Sequence, residues 1–80
     1  MNVKDVVAKR FEKLCQERNI TLNELANISG VTPSTAYSMM DNSRRDISIT
    51  TIKKFCDGLE ITLGDFFTTD EFDNLEQEIK

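Results

Sequence analysis

Four hydroxyl residues, Thr21, Thr32, Ser48 and Thr62, each stand immediately before a stretch whose apolar residues recur at helical spacing. A hydroxyl in that position accepts a backbone N–H from the first turn, so each is a helix start signal. Thr21-Leu22-Asn23-Glu24 has the stronger form, a capping box, in which the Thr21 hydroxyl takes the Glu24 amide while the Glu24 carboxylate reaches back. Thr32 is followed by Pro33, whose missing N–H costs nothing at the first helical position. Helix starts at these intervals in an 80-residue chain leave room for short helices and turns and little else.

The apolar spacing fills in the elements. Val3, Val7, Phe11, Leu14 and Cys15 trace one stripe of a helix over residues 3–18, with Lys4, Lys9, Arg10, Lys13 and Arg18 expected on its remaining surface. Asn19 is the expected stop. A second helix carries Leu22, Leu25, Ala26 and Ile28 and closes near Ser29-Gly30, where glycine can take a left-handed conformation. A third runs from Thr32-Pro33 to about Met40. The segment from Asp41 to Asp46 has no apolar residue and reads as a loop. Ser48 caps a fourth helix with Ile49, Ile52, Phe55, Cys56 and Leu59 on its stripe and Gly58 near its end, and Thr62 caps a fifth from Leu63 to Phe67. No segment sustains strand alternation, so the expected fold is all-α with five helices. With only three glycines and one proline, the connections must be short.

Charge separates the chain into two parts. The net charge is −4, yet residues 1–69 balance nine basic against nine acidic side chains. The acidity lies in residues 70–80, where Asp70, Glu71, Asp73, Glu76 and Glu78 face Lys80 alone. We therefore read one domain over 1–69 and an acidic tail over 70–80. Phe72, Leu75 and Ile79 lie at helical spacing in the tail, and acids at its start suit a helix dipole. Eleven residues are marginal as a free helix, so helicity there requires docking on the domain or on a second subunit.

Composition removes most catalytic chemistry. The chain has no histidine, which excludes Ser-His-Asp and Cys-His nucleophiles and His-zinc sites together. Cys15 and Cys56, 41 positions apart, form no CxxC pair and read as two buried, reduced, unlinked thiols. No catalytic residue, metal site, cofactor or small-molecule substrate is expected. The longest apolar run, Val6-Val7-Ala8, is far short of a membrane span, so the expectation is a soluble cytoplasmic protein with neither span nor signal peptide.

The most informative spacing lies between Thr21 and Met40. Ala26 stands four residues before Gly30, Ala36 six after it and Met39 nine after it. A small residue permits close crossing, glycine makes the bend, and the second helix is left on the surface, as in a helix-turn-helix.

These residues resemble the phage repressor/Cro-type (XRE-like) helix-turn-helix family over Val3 to Phe67. The matching stretches are Thr21-Leu-Asn-Glu-Leu-Ala26, Gly30-Val-Thr-Pro-Ser-Thr35 and Ile61-Thr-Leu-Gly-Asp-Phe-Phe67. The resemblance implies a five-helix repressor-like domain that binds double-stranded operator DNA, usually as a homodimer, in transcriptional control. It places the reading positions at Pro33, Ser34, Thr35, Tyr37 and Ser38. Relatives often carry glutamines there and at the second position of helix two, where this chain has Leu22, so Gln-to-adenine pairing does not carry across. Ser34, Thr35 and Ser38 remain able to make single hydrogen bonds. Tyr37 either reaches a base or phosphate through its hydroxyl or packs against helix two.

The same resemblance lays Asn42, Arg44 and Arg45 along the DNA backbone and puts phosphates near the N–H groups at Thr21 and Thr32, which also act as caps. Lys53 and Lys54 read as a solvated face. Where many relatives bury an arginine–glutamate pair between helices one and three, this chain has Cys15 and Met40, both apolar, and joint replacement of a buried pair is tolerated. A rival reading keeps the fold but makes it a protein-interaction module without DNA binding, since Asp41 and Asp46 offset Arg44 and Arg45.

Overall fold

The caps build the helices in the computed structural model, which describes residues 2–79. α1 (Val3–Arg18) starts where the Asn2 side chain accepts the Asp5 N–H at 2.9 Å. It stops at Asn19, whose φ of 56° turns the chain so that the Ile20 N–H reaches the Cys15 carbonyl at 3.0 Å. At α2 (Leu22–Ile28) both halves of the capping box form, Glu24 N–H to Thr21 Oγ1 and Thr21 N–H to Glu24 Oε1, each at 3.1 Å. α3 (Pro33–Met40) has proline at its first position. Ser48 accepts the Thr51 N–H at 3.0 Å to open α4 (Ile49–Gly58), and Thr62 accepts the Asp65 N–H at 3.0 Å to open α5 (Leu63–Phe67). A last turn, α6, spans Asp70–Asp73. The described residues are all-α, with six helices and no strand.

Buried side chains from α1 to α5 meet in one core. Phe11 is its centre: its ring lies 5.1 Å from Phe55 and 4.3 Å from Phe66, centroid to centroid. Leu25, Ala26, Ala36 and Cys56 are fully buried around it. Burial pushes the Cys15 and Cys56 thiols above the ordinary range, and both are free, as the spacing predicts.

The structure corrects four expectations. Lys4, placed by its residue type on the outer surface of α1, is 1% exposed, for a reason described below. Val3, Ile28 and Ile49, placed with the apolar residues of their helices, are exposed, each being the terminal residue of its helix. Thr32 makes no side-chain bond to the α3 backbone. Among its described residues the tail is helical for one turn only: Phe72 packs 4.9 Å from Phe67 and 5.7 Å from Phe66, whereas Ile79 is 86% exposed. Helicity ends where apolar packing ends. Beyond that turn, a cleft lined by Lys9, Lys13, Asn74, Leu75 and Glu76 separates α1 from the tail.

Gly58 closes α4, near whose end its position places it, but it does not turn the chain. The left-handed residue after α4 is Glu60, at φ 58°, and it lets the Ile61 N–H reach the Cys56 carbonyl at 3.0 Å. Gly58 instead lies against the end of α2, where an added Cβ would collide with Ser29 Oγ and stand 3.2 Å from Ser29 Cα. Because backbone as well as side chain is in the way, Gly58→Ala should cost about 1–3 kcal/mol, the usual range for overpacking. Chemical denaturation measures this; an unchanged midpoint would mean that α2 and α4 separate freely.

Candidate nucleic-acid interface

The turn between α2 and α3 is set by Gly30 at φ 68°, which brings the Val31 N–H to the Ala26 carbonyl at 3.0 Å. Ala26 and Ala36 are fully buried, so the two helices cross with no side-chain bulk between them. Ala36 and Met39 hold α3 to the core. Pro33, Ser34 and Thr35 are consequently exposed along its opening turn, Tyr37 is 56% exposed and Ser38 is half-buried. Tyr37 thus presents most of its surface to solvent rather than to α2.

The opening turn of α3 is a cluster of hydroxyls. Thr32 Oγ1 lies 3.2 Å from Ser34 Oγ and 3.0 Å from Thr35 Oγ1, an arrangement that the cap signal at Thr32 does not reveal. No acidic residue occupies this first turn or that of α4, whereas Asp5, Glu24, Asp65 and Asp70 sit in the first turns of α1, α2, α5 and α6. The positive end of the α3 dipole is therefore open toward an approaching anion. Thr21 is placed differently. Its N–H already donates to Glu24, so a phosphate reaches that N–H only by displacing the carboxylate. Leu22 is half-buried and packs against the core, where it lines a shallow recess with Cys15 and Met40. The two apolar residues at the position of the relatives' ion pair do lie together.

After α3 the chain turns on Asp41. Asp41 Oδ1 accepts the Ser43 N–H at 2.9 Å and the Ser43 hydroxyl at 2.8 Å, and the Arg44 N–H donates to the Asp41 carbonyl at 3.1 Å. The two bonds from Ser43, assisted by the nearby Arg44 and Lys4 charges, hold the Asp41 carboxyl below the usual carboxylate range. Arg44 Nε stands 4.0 Å from Asp41 Oδ2, with most of the Arg44 side chain in solvent. Asn42 and Arg45 are also exposed, and Arg45 has no ion-pair partner among the described residues. Asp46 is not the partner of either arginine. On the outer face of α4, Lys53 pairs with Asp57, and Lys54 is exposed.

The structure thus leaves Thr32, before α3, and Pro33, Ser34, Thr35 and Tyr37, along it, exposed, with Asn42, Arg44 and Arg45 in the loop that leaves its far end. Among the described residues, no group of acids and cysteines is placed to hold a metal ion, and no helix is long and apolar enough to cross a membrane.

Comparison with known proteins agrees with this geometry. Residues 10–71 match the model of the Cro/C1-type helix-turn-helix DNA-binding domain. No curated protein matches the chain. Among solved structures, the crystal structure of the prophage Lp1 protein 11 is similar to it with a TM-score of 0.83 and 29% identity, over 94% of this chain and 100% of that one. The alanine-lined crossing, the bend at Gly30 and the family match over most of the chain agree, and the chain belongs to the Cro/C1-type helix-turn-helix DNA-binding family, whose members are regulators rather than enzymes.

Proposed function

We propose that the protein is a sequence-specific transcriptional regulator of the cytoplasm that acts by occupying operator DNA, with α3 in the major groove. The observation that carries this reading is the acid-free opening turn of α3, whose exposed hydroxyls are followed at the other end of the helix by Arg44 and Arg45. Ser34, Thr35, Ser38 and Tyr37 read base edges, while the arginines, Asn42 and the N–H groups that open α3 at Thr32 hold phosphates, and the Thr21 N–H joins them only where a phosphate displaces the Glu24 carboxylate. Leu22 contributes through its exposed part, as an apolar surface at the edge of the site.

A homodimer follows from reach. Eight residues of α3 span about 12 Å, enough for a few base pairs in one groove. Two copies joined through α5 or the acidic tail 70–80 would address half-sites about 34 Å apart. In this division residues 1–69 form the DNA-binding unit.

Asp41 and Asp46, beside the two arginines, favour a second reading, a protein-interaction module on the same fold. Titrating duplex DNA at increasing salt separates the two. A DNA regulator loses affinity steeply through counterion release, whereas an apolar protein interface does not. Ser34→Ala should shift preference at particular base pairs while the salt slope stays constant. An equal loss on every duplex would mean that α3 does not read bases.

A further inference from the structure

Lys4 is the one buried charged side chain among the described residues, and its position is costly unless the ammonium has a partner. The partner is the main-chain carbonyl of Asp41, which accepts from Lys4 Nζ at 2.6 Å across 37 residues of sequence. That carbonyl caps the end of α3, where helix carbonyls lack partners within the helix and the dipole is negative. α3 has no basic residue in its own last turn, so the cation at its end comes from α1.

The same oxygen also accepts the Arg44 N–H at 3.1 Å, and the side chain of the same residue accepts both bonds from Ser43. One buried cation is thereby tied, through one residue, to the end of the exposed helix and to the turn that presents Arg44. We propose that Lys4 is a positioning residue for DNA-backbone binding: its ammonium fixes the end of α3 and, through the shared Asp41 carbonyl, the direction in which Arg44 leaves the domain. This rests on the reading of Arg44 as a phosphate ligand. Lys4, enclosed beneath the loop, touches no DNA itself. Without it the Asp41 carbonyl is no longer tied to α1, and the turn from Asp41 to Arg44 is held by bonds internal to itself.

The test compares the wild-type chain with Lys4→Met, which keeps a flexible apolar stem and removes charge and donor, and with Arg44→Ala and the double variant. Should Lys4→Met not fold, Lys4→Leu supplies the same comparison, since it also removes charge and donor. Amide hydrogen exchange reads the turn without DNA, and Ser43 and Arg44 should exchange faster in the Lys4 variant. On duplex DNA, Arg44→Ala should lower the salt slope by about one, the value for one phosphate. Lys4→Met should lower it by a similar amount, and the double variant by no more than either alone. Lys4→Arg, which restores a donor and a charge, should recover part of the slope.

Unchanged exchange at Ser43 and Arg44 would overturn the proposal outright. Faster exchange with a wild-type salt slope in Lys4→Met, while Arg44→Ala lowers it, would also overturn it, by showing that Arg44 finds the phosphate from a loosened turn. If Arg44→Ala itself leaves the slope unchanged, the phosphate reading fails and the proposal falls with it, a result distinct from the other two.

Discussion

Replacing Phe11 with alanine should cost about 3–5 kcal/mol, the range for removing a large aromatic side chain from a packed core. The ring is fully buried and touches both Phe55 and Phe66, so its removal opens a void that neither neighbour fills without moving the helix that carries it. Small domains are stable by only about 5–15 kcal/mol in total, and the variant should therefore unfold at a much lower denaturant concentration. Urea denaturation followed by circular dichroism gives the shift in midpoint. A loss under about 1 kcal/mol would mean that α1 does not pack on α4 and α5 as described, since no core site of this size collapses without cost.

The largest expected effect on binding belongs to the loop after α3. Arg44→Ala combined with Arg45→Ala should lower the salt slope by about two and weaken binding on the order of 10- to 100-fold near 0.1 M salt, because each phosphate left unneutralised keeps about 0.9 of a counterion. Arg44 holds Asp41 only at 4.0 Å and from a largely exposed position, so the substitution removes little that the fold needs. The weakening should be nearly equal on all duplexes, since phosphates carry no base information. Fluorescence anisotropy across a salt series checks both numbers. A change in base preference would instead place an arginine in a groove, and a wild-type slope would remove the loop from the interface.

The parts of the fold legible in the sequence are those made within one turn of chain. Thr21 and Glu24, Ser48 and Thr51, and Thr62 and Asp65 are three positions apart, and each hydroxyl finds the backbone partner that its spacing implies. Asn19 ends α1 for the same local reason. Thr32 breaks the pattern: its oxygen lies against the hydroxyls of Ser34 and Thr35 and accepts no backbone N–H.

Lys4 is illegible because periodicity assigns a lysine to solvent, and only a carbonyl 37 residues away makes its burial tolerable. Gly58 shows the same limit. Its closeness to a helix end is readable, but the proximity of Ser29 is a product of the packing of α2 on α4. At the interface, the outward direction of Ser34, Thr35 and Tyr37 follows from the inward direction of Ala36 and Met39, which the spacing around Gly30 does disclose. The Asp41 turn does not follow from spacing, because its bonds depend on where α3 stops. The tail mixes both cases: Phe72 docks as its apolar spacing suggests, and Ile79, on the same nominal stripe, does not.

Selection of bound fragments from random duplex DNA by the intact chain tests most directly whether α3 reads an operator as one of a pair. The expected result is a palindrome, its half-sites about one helical turn apart and its shared base pairs shifting when Ser34 or Ser38 is replaced by alanine. Recovery of fragments with no shared sequence, or of a motif indifferent to both substitutions, would contradict α3 as the reading element.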